Sequence, residues 1–249
     1  METLRNKEGF ICDMDGVIYH GNRLLPGVKE FVNWLTENKK NFLFLTNSSQ
    51  YTPRELQNKL ARMGLDVDET HFYTSALATA CFLDTQSPGC SAYVVGEHGI
   101  LNALYDKGIM YNDVDPDYVV VGESSCYNLE QITKAIRLVN AGAKLIGTNS
   151  DLTGPTETGI APIELATEKK AYFIGKPNPL MMRTGLRLLN VHSANAAIIG
   201  DRMDTDIISG IETGLDTVLV LSGVTTPDII ERYPYRPRLV LNGVGDIPG

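Results

Sequence analysis

FICDMDGVIY, residues 10 to 19, is apolar up to Cys12, then sets Asp13 and Asp15 two positions apart and follows them at once with Gly16. Phe10, Ile11 and Cys12 read as the end of a buried parallel strand, and Asp13, Asp15 and Gly16 as the turn leaving it. Two carboxylates at one strand end repel each other and resist desolvation, so a bound cation or a shared proton is the usual compensation. A plain solvated turn is the alternative, because Asp and Gly are ordinary turn residues.

Three more apolar runs stop as abruptly. FLFL is followed by Thr46-Asn47-Ser48-Ser49, YFIG by Lys176-Pro177, and AAIIG by Asp201, with Asp204 and Asp206 close behind. In an open α/β sheet, ligands bind beyond the carboxyl ends of the parallel strands, so junctions far apart in sequence can converge. From residue 8 onward, apolar runs alternate with helix-like segments, the pattern of a doubly wound α/β sheet.

Helices are expected over 27–38, with Val28, Phe31, Val32 and Leu35 on one face, over 53–63 with Gly64 as the stop, and over 75–83. Phe31 and Trp34 read as core packing. The run QSPGCS at 86–91 marks the crossing into a second domain. Beyond it, AYVVGE (92–97), DYVVVGE (117–123) and AKLIGTN (143–149) predict parallel strands, with helices starting near Ile100 and Leu129. The shared VVGE wording reads as equivalent strand chemistry in successive β-α units. Residues 150–162 form a loop rich in Thr, Gly and Pro, helical sequence resumes through Glu168, and the return to the first sheet is expected near Lys170, before YFIGKP. The domain expectation is therefore a core of 1–86 and 171–249 around an inserted 87–170.

Composition narrows the function classes. The chain has 249 residues, 43% hydrophobic and 21% charged, ordinary proportions for a folded chain of one or two domains. A net charge of -8 argues against following a nucleic-acid backbone, so small anionic substrates would need local positive charge. The leading METLRNKEG lacks the apolar segment of a secretory signal, and no run approaches the ~18 apolar residues of a membrane span. The expected location is the cytoplasm, with no membrane partner. Cys12, Cys81, Cys90 and Cys126 show no C-x-x-C spacing and read as free thiols. His20, His71, His98 and His192 follow no metal spacing and receive no catalytic role. Homo-oligomerisation is left open.

The residues suggest a chemistry. A carboxylate can attack phosphorus and hold the phosphoryl group, which makes Asp13 the candidate nucleophile. Asp15 is the candidate acid that protonates the departing alkoxide and the base that then activates water. Asp201 suits a further carboxylate ligand, and hard oxygen donors suggest Mg²⁺, with Asp206 facing the same site directly or through water. Asp204 reads as a helix N-cap, and Arg202 either steadies the acidic loop or faces solvent. Four carboxylates set against Mg²⁺ and Lys176 come near neutrality once Asp15 is protonated, which admits a phosphate dianion. Thr46 and Asn47 read as donors to phosphoryl oxygens, or else as a simple turn. Lys176 reads as a phosphate neutraliser, or else as a solvated lysine.

Assembled, these motifs resemble those of the haloacid dehalogenase superfamily phosphatases, specifically the NagD-like branch, along essentially the whole chain. DMDGV resembles the first family motif, LTNSS the second, IGKPNP the third and GDRMDTDI the fourth. The resemblance implies a Rossmann-like core with a large α/β cap inserted between the second and third motifs. It implies Asp13 as nucleophile, Asp15 as acid/base, Mg²⁺ held by Asp13, the Asp15 carbonyl and Asp201, and phosphate bound by Thr46, Asn47 and Lys176. The cap would select the leaving group, with Asn149 and Asp151 as candidate contacts, or else plain loop residues.

The expected activity is a Mg²⁺-dependent phosphomonoesterase acting on small metabolites such as nucleoside monophosphates or sugar phosphates. A silent phospho-ligand sensor and a phosphomutase are the alternatives. A dinucleotide-dependent oxidoreductase is disfavoured because no G-x-G-x-x-G follows any strand.

Overall fold

The computed structural model describes residues 1–150 and 160–248. Along the chain the strands are β1 (Gly9–Cys12), β2 (Tyr19–His20), β3 (Arg23–Leu24), β4 (Asn41–Thr46), β5 (Phe72–Thr74), β6 (Ser91–Val95), β7 (Met110–Tyr111), β8 (Tyr118–Val121), β9 (Lys144–Gly147), β10 (Tyr172–Phe173), β11 (Ala196–Gly200), β12 (Asp216–Val220) and β13 (Leu239–Leu241). They form two larger sheets and one short antiparallel hairpin, β2-β3. The chain divides into two compact units: Met1–Thr46, Pro53–Tyr73 and Lys176–Gly249 in one, Asn47–Thr52 and Thr74–Gly175 in the other.

The first unit is built on the six-stranded order β13-β12-β11-β1-β4-β5. Its central strands β1 and β11 are buried along their whole length, which is why they read as unbroken apolar runs. Their ladder is parallel, pairing Cys12 with Ile199. Chain order runs outward from β1 to β4 and β5 on one side and from β11 to β12 and β13 on the other. The switch point therefore lies between β1 and β11, where such sheets bind ligands at their carboxyl ends. Asp13 and Asp201 are the first residues beyond those two strands.

Helix Val28–Glu37 buries Val28, Phe31, Val32 and Leu35, the face its 3.6-residue period predicts. The Trp34 ring meets Phe10 edge-on, with centroids 5.6 Å apart. Full burial of side chains such as Phe10, Phe31 and Phe44 stabilises the core by about 2–3 kcal/mol each. Helix Pro53–Arg62 matches its expected span, and Gly64 takes the left-handed conformation that ends it.

The second unit carries the parallel order β10-β9-β8-β6-β7. Strands β6, β8 and β9 lie where the periodicity predicts them but stop short of the polar residues that follow, which turn into loops. Helix Ser75–Gln86 runs one turn past its expected end, started by the Thr74 hydroxyl, which accepts from the Leu77 N–H. Asn128 caps Leu129–Ala141 in the same way through the Gln131 N–H.

One expectation is corrected. YFIG does not return to the first sheet: Tyr172 and Phe173 extend the second sheet by pairing with Ile146 and Gly147 of β9. The first unit resumes at Lys176. Most of the expected 150–162 loop, including Asp151, lies outside the described residues. Among the described residues, no helix is long and apolar enough to cross a membrane.

Candidate active site

Beyond Cys12, the Asp13 N–H still donates to the Ile199 carbonyl at 2.8 Å, so the first acid is held in register by the neighbouring strand. The chain then turns tightly, with the Met14 carbonyl accepting from the Ile18 N–H at 2.8 Å and the Gly16 N–H reaching Tyr19 O at 2.9 Å. Gly16 makes that turn at φ +78°, a conformation that L side chains adopt only with strain. The Asp13 side chain is 13% exposed. Asp15 points outward at 65%, with its Oδ1 3.6 Å from His20 Nδ1.

Lys176 enters from the segment leading to helix Pro179–Leu189 and is buried. Its Nζ donates to Asp13 Oδ1 at 2.5 Å and to Asp206 Oδ1 at 2.7 Å. Asp206 sits on a π-helical turn, Met203–Ile207, in which the Arg202 carbonyl accepts from both the Asp206 and Ile207 N–H groups. Turns of this kind recur at functional positions. Asp206 Oδ2 accepts from the Arg202 N–H at 3.1 Å, so each oxygen of this buried acid already holds a donor. Asp204 instead faces outward and takes both ends of the Arg202 guanidinium, at 3.1 and 2.8 Å. It caps nothing, and Arg202 steadies the acidic loop.

Asp201 is 2% exposed. Its Oδ2 accepts from the Val224 N–H at 2.7 Å, while its Oδ1 is buried with no hydrogen-bond partner among the described residues. One carboxylate oxygen from each of Asp13, Asp201 and Asp206 lies within 4.8 Å of the others. The Asp15 carboxylate is not in that group.

The electrostatics of the cluster are unbalanced. Burial pushes the Asp13 carboxyl up to about 8, with the Lys176 charge opposing and Asp206 and Asp201 adding to the rise. Burial, then the Asp206 charge, pushes Asp201 up to about 6. Burial works against the Lys176 charge, but Asp13 and Asp206 outweigh it and hold the lysine protonated. Three carboxylates facing one ammonium leave an excess of negative charge that only protons or a cation can offset. A hard divalent cation fits: every donor is an oxygen, and Asp201 Oδ1 is buried with no partner among the described residues. Burial next to Asp13 also pushes the Cys12 thiol up, so this free cysteine is an inert neighbour.

Thr46 closes β4, the strand paired with β1 on the side opposite β11. Asn47 opens the second unit's share of the chain, where its amide donates to Asn149 Oδ1 at 3.2 Å and its carbonyl accepts from the Ser75 hydroxyl at 2.6 Å. The structure thus brings Asp13, Lys176, Asp201 and Asp206 into direct contact range, with Asp15 in the adjoining turn.

A haloacid dehalogenase-like hydrolase model matches residues 10–110, and a second, HAD-hydrolase-like, matches residues 173–247. Over 246 residues the chain is 46% identical to a dihydroxyacetone phosphatase of Corynebacterium glutamicum, covering 96% of this chain and 90% of that one. The chain belongs to the haloacid dehalogenase-like hydrolases. Within them it is a NagD-like phosphatase. It is 41% identical to the ribonucleotide monophosphatase NagD of Escherichia coli over 98% of both chains. The NagD structure superposes with a TM-score of 0.92 at 39% identity, covering 97% of this chain and 98% of that one. A 4-nitrophenylphosphatase from Thermotoga maritima superposes with a TM-score of 0.94 at 32% identity, covering 99% and 98%.

The sequence reading of this hydrolase passed over residues 222–225, the loop after β12. There the Ser222 hydroxyl donates to Gly16 O at 2.7 Å, Gly223 lies against Asp201, and Val224 supplies the N–H to its carboxylate. The available signal was a fifth run, TVLVL (217–221), that stops at Ser222-Gly223.

Proposed function

We propose that this hydrolase is a Mg²⁺-dependent phosphomonoesterase that works through an aspartyl phosphate on Asp13. The observation that carries the reading is the shared ammonium of Lys176, which fixes Asp13 Oδ1 at 2.5 Å and leaves the other carboxylate oxygen to attack phosphorus. The Asp13 Oδ–P bond forms as the ester P–O bond breaks, and Asp15 delivers the proton to the departing alkoxide. Its exposure supports that role, since an outward acid can reach both a leaving group and the water that later cleaves the aspartyl phosphate. Thr46, Asn47 and Lys176 hold the phosphoryl oxygens as charge shifts onto them.

Asp13, Asp201 and the Asp15 carbonyl would hold Mg²⁺, which would neutralise the acidic cluster and polarise the phosphoryl group. Asp206, with both oxygens already engaged, anchors Lys176 and would face the cation through water.

The substrates we propose are small phosphate monoesters, either nucleoside monophosphates or sugar and triose phosphates. The named activities of the relatives, dihydroxyacetone phosphatase and ribonucleotide monophosphatase, support that class. To the second unit, which takes in most of the expected 87–170 insertion together with 47–52, 74–86 and 171–175, we assign the part of a cap that selects the leaving group, the first unit being the core. Phosphate release measured over a metabolite panel, with Mg²⁺ and with chelator, tests the reading. Release confined to the Mg²⁺ arm and absent from Asp13→Asn supports it. Tight phospho-ligand binding with no release under any condition would make the protein a sensor.

A further inference from the structure

We propose that residues 222–225, the loop after β12, form a positioning clamp that fixes Asp201 as a one-oxygen ligand for the divalent cation. The inference rests on the reading of Asp201 as a metal ligand and adds residues to it that carry no charge.

The geometry encloses one oxygen of Asp201 and leaves the other. Asp201 Oδ2 accepts from the Val224 N–H at 2.7 Å, and the Asp201 carbonyl accepts from the Thr225 N–H at 3.2 Å. A Cβ placed on Gly223 would stand 2.0 Å from Oδ2 and 2.5 Å from Asp201 Cβ and Cγ, so no side chain fits there. Beside it, a Cβ on Gly16 would stand 2.6 Å from the same Oδ2 and 2.9 Å from Gly223 Cα. Two glycines and a backbone donor thus crowd Oδ2. Oδ1 remains, buried and unpartnered among the described residues.

A buried ionised oxygen with no donor is costly, and no side chain among the described residues relieves it. The clamp confines that cost to the oxygen a cation would take. Ser222 extends the arrangement: its hydroxyl donates to Gly16 O at 2.7 Å, tying the clamp to the turn that carries Asp13 and Asp15. Residues of this kind, which orient a ligand without touching the metal, typically change metal affinity by about 10–100-fold when altered.

The test measures Mg²⁺ affinity directly, by calorimetric titration of the full chain, with circular dichroism confirming the fold. Val224→Pro deletes the N–H, and Val224→Ala keeps it; Val224 is 63% exposed, so the pair isolates the donor. The proline variant is expected to bind Mg²⁺ about 10-fold or more weakly than the alanine variant. Asp201→Asn is expected to lose measurable binding. Equal affinities in the two Val224 variants, with binding lost in Asp201→Asn, would overturn the clamp and leave the metal site standing. Wild-type affinity in Asp201→Asn would overturn the site itself. Should Val224→Pro not fold, Ser222→Ala decides: a severalfold loss supports the clamp, and wild-type affinity removes it.

Discussion

Lys176 Nζ lies 2.7 Å from Asp206 Oδ1, and the Asp206 side chain is wholly buried. Removing one member of such a pair strands the other charge in a low dielectric, which typically costs about 3–5 kcal/mol. Asp206→Asn is expected at the lower end of that range, since Asp13 still faces the ammonium. Urea unfolding followed by fluorescence checks it, and an unchanged midpoint would show that Asp13 alone satisfies the lysine.

Asp13→Asn is expected to keep the fold while lowering turnover by about 10⁴-fold or more, the scale at which losing a nucleophile acts. Asp15→Asn should lower it by about 10²–10⁴-fold, the scale of a lost general acid. In rapid-quench experiments with the Asp15 variant, phosphoryl transfer to protein should outlast its hydrolysis. Retained steady-state rates in either variant would end the corresponding assignment.

Part of the pH dependence of the metal-free protein follows from Asp201, beside the larger share of Asp13, whose carboxyl is pushed up to about 8. The Asp201 carboxyl is pushed up to about 6 from 3.8 by burial and the Asp206 charge, so the folded state favours the neutral form. That contribution to stability is complete below pH 3.8 and is lost as pH rises through about 6. In chelator, Asp201→Asn should therefore remove the Asp201 share of the fall in melting temperature between about pH 4 and 6 and leave the Asp13 share in place. Added Mg²⁺ should raise the melting temperature more at pH 7 than at pH 5, because protons compete with it for the same oxygens. A Mg²⁺ shift independent of pH would contradict both expectations.

Chelation should abolish phosphate release, and Mg²⁺ should restore it. Activity that survives dialysis against chelator would separate the acidic cluster from catalysis.

Gly16→Ala combines a strained φ of +78° with a Cβ 2.6 Å from Asp201 Oδ2. A loss of about 2 kcal/mol or more is expected in denaturant unfolding, together with weaker Mg²⁺ binding. A variant as stable as the wild type would mean that the turn relaxes more freely than its contacts allow.

Much of this was legible locally. The buried run GFIC ending at Asp13, the apolar face of Val28–Glu37 and the Pro53 start of the next helix are each set by neighbours in sequence. The pairing of Tyr172 and Phe173 with β9 was not, because an apolar run does not state which sheet it joins. Asp206 looked like one more acid near a metal, and only the fold shows its oxygens already taken by Lys176 and Arg202. Gly223 looked like an ordinary turn until Asp201 was placed against it.

Asn47 is bonded to Asn149 and Ser75, so the short segment after β4 is built together with a stretch more than twenty residues further on. For protein engineers this limits modular exchange. A chimaera that transplants 74–175 from a relative while keeping the host's 47–52 would graft mismatched partners onto Asn47. Recombination at these borders should succeed only when both pieces travel as one cassette.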